Sequence, residues 1–427
     1  IGLITTSRPV FSSNNFLINK AFFSALKEEI ETNGEGRLGD IFRVTKNNSL
    51  SGISNRNFTL LGDPSMKLAM PGYRTTIDQI NFKNVGLDTL EALSLATFSG
   101  SVVNGMGSIN TGFNGELELV MYDKQNLNQT LGNENLPFNY HSWNTTLFRG
   151  KATVLNGLFE VSFVLPKNIN YTAGEGRVSM YAESFNNQLD AASVTNKIVI
   201  GGSSKITLED NIPPSIEIYV GDLSFISGSI VRSDTELLVH LKDESGINIS
   251  NLGIGQDIVA VFDQKDIILN EYYTASADTY KEGWVHYELK NLQPGEYNLR
   301  VNAWDTHNNM GTNAVSLVVV DDKNLVIRDI IIAPNPVIDI ATIYMEHNKS
   351  GDNLDIEMEI VDREGRRVYY DKLSIINSEG RINLGEWNGR DGYGEKLSEG
   401  LYLIRLKVYS TTDLTKNQKI EKILLVN

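Results

Sequence analysis

Glu116-Leu-Glu-Leu-Val-Met121 sets Leu117, Leu119 and Met121 on one side of an extended chain and Glu116, Glu118 and Val120 on the other. Successive side chains of a strand point to opposite faces, so this period of two marks a half-buried strand. Phe159, Val161, Phe163 and Leu165 repeat it against Glu160 and Ser162. Farther on, Leu354, Ile356, Met358 and Ile360 alternate with Asp355, Glu357 and Glu359, giving one apolar and one acidic face. Strands of this kind between Gly and Asn turns predict antiparallel sandwiches, and the fold class is mainly β.

The pattern differs only toward the start of the chain. Ile1 to Thr5 reads as a short buried strand, and Ser13 or Asn14 caps a helix whose apolar face is Ile18, Ala21, Phe22, Ala25, Leu26 and Ile30, stopped by Asn33-Gly34. A second short helix near Leu38 to Thr45 precedes Phe58-Thr-Leu-Leu-Gly-Asp-Pro-Ser65, a strand broken by a turn. From Tyr73 the period is two. Gly201-Gly-Ser-Ser204 and Asn211-Ile-Pro-Pro-Ser215 bracket a linker-like stretch, and a further boundary falls between Asp321 and Pro336. The organisation read from the sequence is an opening segment 1–72, a β-sandwich 73–204, an immunoglobulin-like sandwich 205–322 with strands at Leu237 to Leu241, Leu299 to Ala303 and Ala314 to Val320, and a last β domain 323–427. Gly400 to Val408 and Ile420 to Val426 form its terminal hairpin.

Composition narrows the function classes. The 427 residues exceed what one core organises, and 41% hydrophobic with 21% charged residues is the balance of folded domains. Lys and Arg number 38 against 53 Asp and Glu, a net charge of -15 that repels phosphate backbones. No apolar run reaches the roughly 18 residues of a membrane-spanning helix, and the opening Ile-Gly-Leu-Ile carries no basic leader, so the chain is expected to begin inside a domain. With no cysteine, these residues supply neither a disulfide nor a thiol nucleophile.

Candidate chemistry is sparse. His141, His240, His286, His307 and His347 stand at no metal-ligand spacing, and there is no Gly-x-Ser-x-Gly elbow, Walker loop or dinucleotide fingerprint. No catalytic residue and no cofactor-binding residue is assigned within the chain. Asp243-Glu-Ser-Gly246 and Asp305-Thr-His-Asn-Asn309 gather oxygen donors at strand ends, which makes Asp243 and Asp305 calcium candidates; the competing reading is Asx-turn chemistry, in which each carboxylate bonds its own backbone. In the last domain, Trp387 to Gly394 reads as a wide turn, and exposed edge strands would suit docking to a partner.

The chain resembles the gingipain-like cysteine peptidase family, and within it the type IX secretion sortases of Bacteroidota. Ile1-Gly-Leu-Ile-Thr-Thr-Ser-Arg-Pro-Val-Phe-Ser-Ser13, Asn19-Lys-Ala-Phe22 and Leu61-Gly-Asp-Pro-Ser65 look like the end of a caspase-like α/β peptidase domain. Phe113-Asn-Gly115, Phe148 to Val154, Asn156-Gly-Leu-Phe159, Pro166-Lys-Asn-Ile169 and Tyr181-Ala182 resemble the β domain that follows it, and Asp243 to Asn248, Gly253-Ile-Gly255 and Ala303-Trp-Asp305 the next, immunoglobulin-like one. Pro334-Asn-Pro-Val337, Gly400-Leu-Tyr402 and Lys422 to Val426 are similar to the C-terminal type IX secretion domain, a FlgD-like immunoglobulin fold.

The resemblance implies a whole protein that sits on the outer face of the outer membrane, removes C-terminal signals from secreted cargo and joins cargo to anionic lipopolysaccharide. It implies as partners a PorV-like outer-membrane barrel and other components of the attachment complex. The family's nucleophilic cysteine and its histidine lie upstream of Arg8-Pro9, so both are expected upstream of Ile1. Alternatives are a secreted gingipain-like peptidase that is itself cargo, and a non-catalytic surface adhesin.

Overall fold

The computed structural model describes residues 2–31, 36–81, 83–84, 89–133, 136–205, 209–263 and 265–426, and they form two compact units, Ile1–Gly72 and Tyr73–Asn427. In the first unit the strand Leu3–Thr6 pairs antiparallel with Phe58–Leu61, and helices Ser12–Glu31, Leu38–Asn47 and Gly52–Arg56 lie between them in sequence. Ile18, Ala21 and Ala25 are buried, as the helical period requires, with Phe22 and Leu26 half-buried beside them. Asn33-Gly34 lies outside the described residues. The opening strand is a correction to its reading as buried. Leu3 is 56% exposed, because a two-stranded sheet leaves much of each strand uncovered.

The second unit is built of strands, as the period-two reading requires. Its largest sheet has nine, in the order Ser215–Val220, Thr235–Lys242, Glu282–Leu289, Tyr273–Ala275, Thr146–Val154, Gly115–Tyr122, Gly174–Ser184, Asp190–Ser203 and Thr89–Ala92. The sheet therefore runs through residues on both sides of position 204, joined where Gly150 meets Ala275 in a parallel bridge. Facing sheets of four strands (Leu158–Val164, Leu95–Val103, Arg74–Ile80, Lys83–Asn84) and five strands (Ile230–Val231, Met310–Val319, Gly295–Trp304, Val259–Phe262, Lys265–Ile268) close one continuous core from Ile80 to Val319. Leu117, Leu119, Met121, Phe98 and Phe163 are fully buried in it, while Glu118 stays exposed. Gly115 starts its strand hard against a neighbour, since a Cβ there would stand 2.0 Å from the Glu183 carbonyl oxygen.

A second core begins at Leu325. Sheets of three strands (Ile327–Ala333, Ala341–His347, Arg381–Trp387) and four strands (Arg367–Ile375, Leu354–Val361, Gly400–Ser410, Lys416–Leu425) enclose Ile356, Met358, Ile360, Ile404 and Trp387. The terminal hairpin pairs Gly400 with Leu425 and Tyr409 with Lys416. Among the described residues no helix is long and apolar enough to cross a membrane.

A polar clasp holds this last sandwich to the preceding one. Asp222 accepts from Ser350 Oγ at 2.5 Å and from the Gly380 N–H at 2.7 Å, Ser224 Oγ accepts from the Arg381 N–H, and Arg232 Nη1 donates to the Ser350 carbonyl and to Asp352. Asp222, Ser224, Arg232, Ser350, Gly380 and His347 line a cavity of about 150 Å³.

Candidate metal centre

Asp243 and Asp305 lie where two inward-facing registers run out. On the strand Thr235–Lys242, Leu237, Val239 and Leu241 point into the core, and Asp243 is the next residue of that register; on Gly295–Trp304 the series Leu299, Val301, Ala303 ends on Asp305. Alternation carries the two carboxylates toward each other at one end of the sandwich, where Asp305 is 0% and Asp243 6% exposed. An antiparallel bridge between Ile247 and Asp305 joins the loops.

The structure adds a residue that the sequence reading did not name. Asp210, in the connection before Ser215–Val220, brings a third carboxylate, and one oxygen from each of the three lies within 4.8 Å of the others. Nothing in the spacing of Asp210 to Asp243 and Asp305 signals this, because the three meet only after the strands between them have paired. The one legible sign was Asp210 beside the Asn-Ile-Pro-Pro segment, a composition read as a linker.

Turn chemistry is present as well. Asp243 Oδ1 accepts from the Ser245 N–H and hydroxyl at 2.8 and 2.7 Å, Asp305 Oδ1 from the N–H groups of His307 and Asn309, and Asp305 Oδ2 from Asn309 Nδ2 at 2.6 Å. Asn309 Nδ2 also donates to the Asp210 carbonyl, and Asp210 Oδ1 accepts from the Ile212 N–H. These bonds leave Asp243 Oδ2 and Asp210 Oδ2 without a hydrogen bond among the described residues, and no Lys or Arg there pairs with any of the three carboxylates. At Asp243 the Asx turn occupies Oδ1 and leaves Oδ2 open to a metal, whereas both oxygens of Asp305 already accept hydrogen bonds.

The electrostatic consequence is repulsion. Two ionised carboxylates no farther apart than 4.8 Å repel by at least about 3 kcal/mol at the effective dielectric of such sites. Burial first, with the charges of Asp305 and Asp210 adding to it against the Ser245 bonds, pushes the Asp243 carboxyl up to about 6. Burial, aided by Asp210, likewise raises Asp305. The donor set is all oxygen, which suits a hard divalent cation.

The five histidines do not converge. His240 faces outward against Glu217 Oε2 at 3.2 Å and stacks on Trp284, and His286 meets Glu236 at 2.9 Å. His141 is exposed, and His307 is half-buried within the Asp305 loop. His347 is 1% exposed, a burial that its polar neighbours Asn348 and Lys349 do not signal. Its Nδ1 accepts from the Lys349 N–H at 3.0 Å, while Nε2 has no aligned partner. No cysteine exists to join any of them in a thiol–imidazole pair.

Residues 1–69 match the model of peptidase family C25 and so relate the chain to the gingipain-like peptidases. Among solved structures the chain is similar to dimeric latent PorU from Porphyromonas gingivalis, at 29% identity over 91% of this chain and 38% of that one, with a TM-score of 0.41. It thus spans 38% of the length of that relative. Fibronectin(III)-like modules of Clostridium thermocellum CbhA align at 12% identity over 49% of this chain and 94% of theirs, with a TM-score of 0.20. No curated protein matches the chain.

Proposed function

We propose that the chain is the supporting and docking part of a PorU-like sortase at the bacterial cell surface, a cysteine endopeptidase of type IX secretion. The observation that carries this reading is the family C25 match at residues 1–69, set directly before sandwich domains that have no cysteine of their own. Residues outside these 427 would supply the thiolate and the histidine that activates it, and the thiolate would attack the scissile carbonyl at the cargo's C-terminal signal. The acyl-enzyme would then pass to an amine of anionic lipopolysaccharide or to water.

The sandwiches would hold that peptidase domain away from the membrane. Residues 323–427 would seat on an outer-membrane barrel of the PorV type, and the clasp around Asp222 would transmit that anchorage to the domain before it. The net charge of -15 disfavours direct adsorption to an anionic surface, so a protein partner suits the membrane contact better than lipid does.

Replacing the full-length gene by a version truncated after Asp321 tests the reading. The product should leave the outer-membrane complex, and cargo should accumulate with its C-terminal signals uncleaved. Retention of the truncated protein in an intact complex would refute the docking role. Removal of 323–427 from the wild-type protein during secretion would mark it as cargo.

A further inference from the structure

We propose that Asp210, Asp243 and Asp305 bind a calcium ion that ties the connection before Ser215–Val220 to the open end of the sandwich behind it. This inference does not depend on the peptidase relationship.

The span of the cluster and its burial favour calcium. Calcium takes oxygen ligands at about 2.3–2.6 Å, so oxygens on opposite sides of it lie about 4.6–5.2 Å apart; magnesium, at about 2.0–2.1 Å, requires about 4.0–4.2 Å. Three carboxylate oxygens within 4.8 Å of one another fall inside calcium's span, and a buried set of three carboxylates suits calcium further because magnesium dehydrates reluctantly and keeps several waters. Two of the three side chains are nearly or wholly excluded from water, and no described cation balances them. A divalent ion would turn the mutual repulsion of three carboxylates into attraction to one centre.

An independent observation points to the same place. Tyr273 is 2% exposed, and its hydroxyl has no hydrogen-bond partner. That oxygen lies 2.6 Å from where a Cβ on Gly283 would stand. Gly283 is paired with Leu241, and Asp243 is the next residue of Leu241's inward register. The hydroxyl is thus carried along the inner face of the sheet, through the gap that the glycine leaves, toward the Asp243 end. It comes close enough for the Asp243 charge to act on it, yet the two make no hydrogen bond. A water held on the ion is a group that a buried phenol and a carboxylate without a direct hydrogen bond can share.

The site would fix the seam between the first two sandwiches. The Asp305 loop already meets the loop of residues 167–168, through the Lys167 N–H to the Thr306 carbonyl at 2.9 Å and Asn308 Nδ2 to Asn168 Oδ1 at 3.1 Å. Bound calcium would strengthen the hold of the Asp305 loop on the connection carrying Asp210, which Asn309 Nδ2 already touches through the Asp210 carbonyl.

Calorimetric titration of the 427-residue chain with calcium chloride, beside thermal unfolding in calcium, in magnesium and in EDTA, tests the proposal. One calcium per chain should bind, with magnesium at least tenfold weaker, and calcium should raise the melting temperature. Asp210→Asn and Asp243→Asn should each weaken calcium at least tenfold. In EDTA both variants should melt no lower than the wild type, because each removes a repelling charge. Tyr273→Phe should weaken calcium a few-fold at unchanged stoichiometry. Absence of binding to the wild type, or calcium binding that persists undiminished in Asp210→Asn and Asp243→Asn, would overturn the assignment.

Discussion

Lowering the pH should loosen the last sandwich through His347. The ring is 1% exposed, and burial holds it neutral by lowering its pKa to about 4, against weaker opposing effects from the Glu379 carbonyl, Asp222 and Asp352. The groups around it are the carboxylates of Asp222, Asp352 and neighbouring Glu346, and Lys349, whose backbone N–H it accepts. The folded pKa lies below the unfolded value of about 6.5, so the unfolded chain takes up a proton that the native one refuses. The contribution is complete above about pH 6.5 and is lost as the pH falls toward 4. Between pH 7 and pH 5 the linkage amounts to about 2 kcal/mol. Urea unfolding of the wild type and of His347→Gln across that interval should show the wild type losing about 2 kcal/mol more, since every other titrating group is common to both. The His347 ring protons should titrate near pH 4 in a selectively labelled sample. Parallel stability curves, or titration of that ring at its ordinary value, would refute the reasoning.

Two further perturbations probe the packing. Trp387 is 1% exposed, donates Nε1–H to the Arg390 carbonyl at 3.0 Å and meets Tyr402 edge to face, so Trp387→Ala should cost about 3–5 kcal/mol in chemical unfolding, against clearly less for Trp387→Phe. Asp222→Ala removes the acceptor shared by Ser350, Ser224 and the Gly380 N–H; it should cost about 3 kcal/mol and speed limited proteolysis within residues 320–326, whereas an unchanged cleavage rate would show that the clasp does not hold the two sandwiches.

The legible part of the fold was local. Leu117, Leu119 and Met121 reveal their strand because alternation is a property of neighbouring residues, and Ile18, Ala21 and Ala25 reveal their helix for the same reason. The nine-stranded sheet was not legible. Its continuity across position 204 rests on Gly150 lying beside Ala275, 125 residues apart, and neither residue advertises a partner. Asp243 and Asp305 were legible because each opens a local run of oxygen donors at a strand end, whereas Asp210 lies in irregular chain and joins them only in three dimensions. Lys349 was missed in the opposite way. Its sequence neighbours Asn348 and Ser350 suggest an exposed loop, yet it is 1% exposed, its ammonium donating to Asp413 and to the Asp322 carbonyl at 2.5 Å each.

If these residues support and anchor a catalytic domain at the outer membrane, as proposed, the native complex should carry the signature of that arrangement. Native mass spectrometry of the complex solubilised from outer membranes tests it most directly. The expected species is a longer chain that carries a cysteine, retains residues 323–427 and is associated with a barrel protein. A free soluble species ending near Pro336 would contradict the proposal.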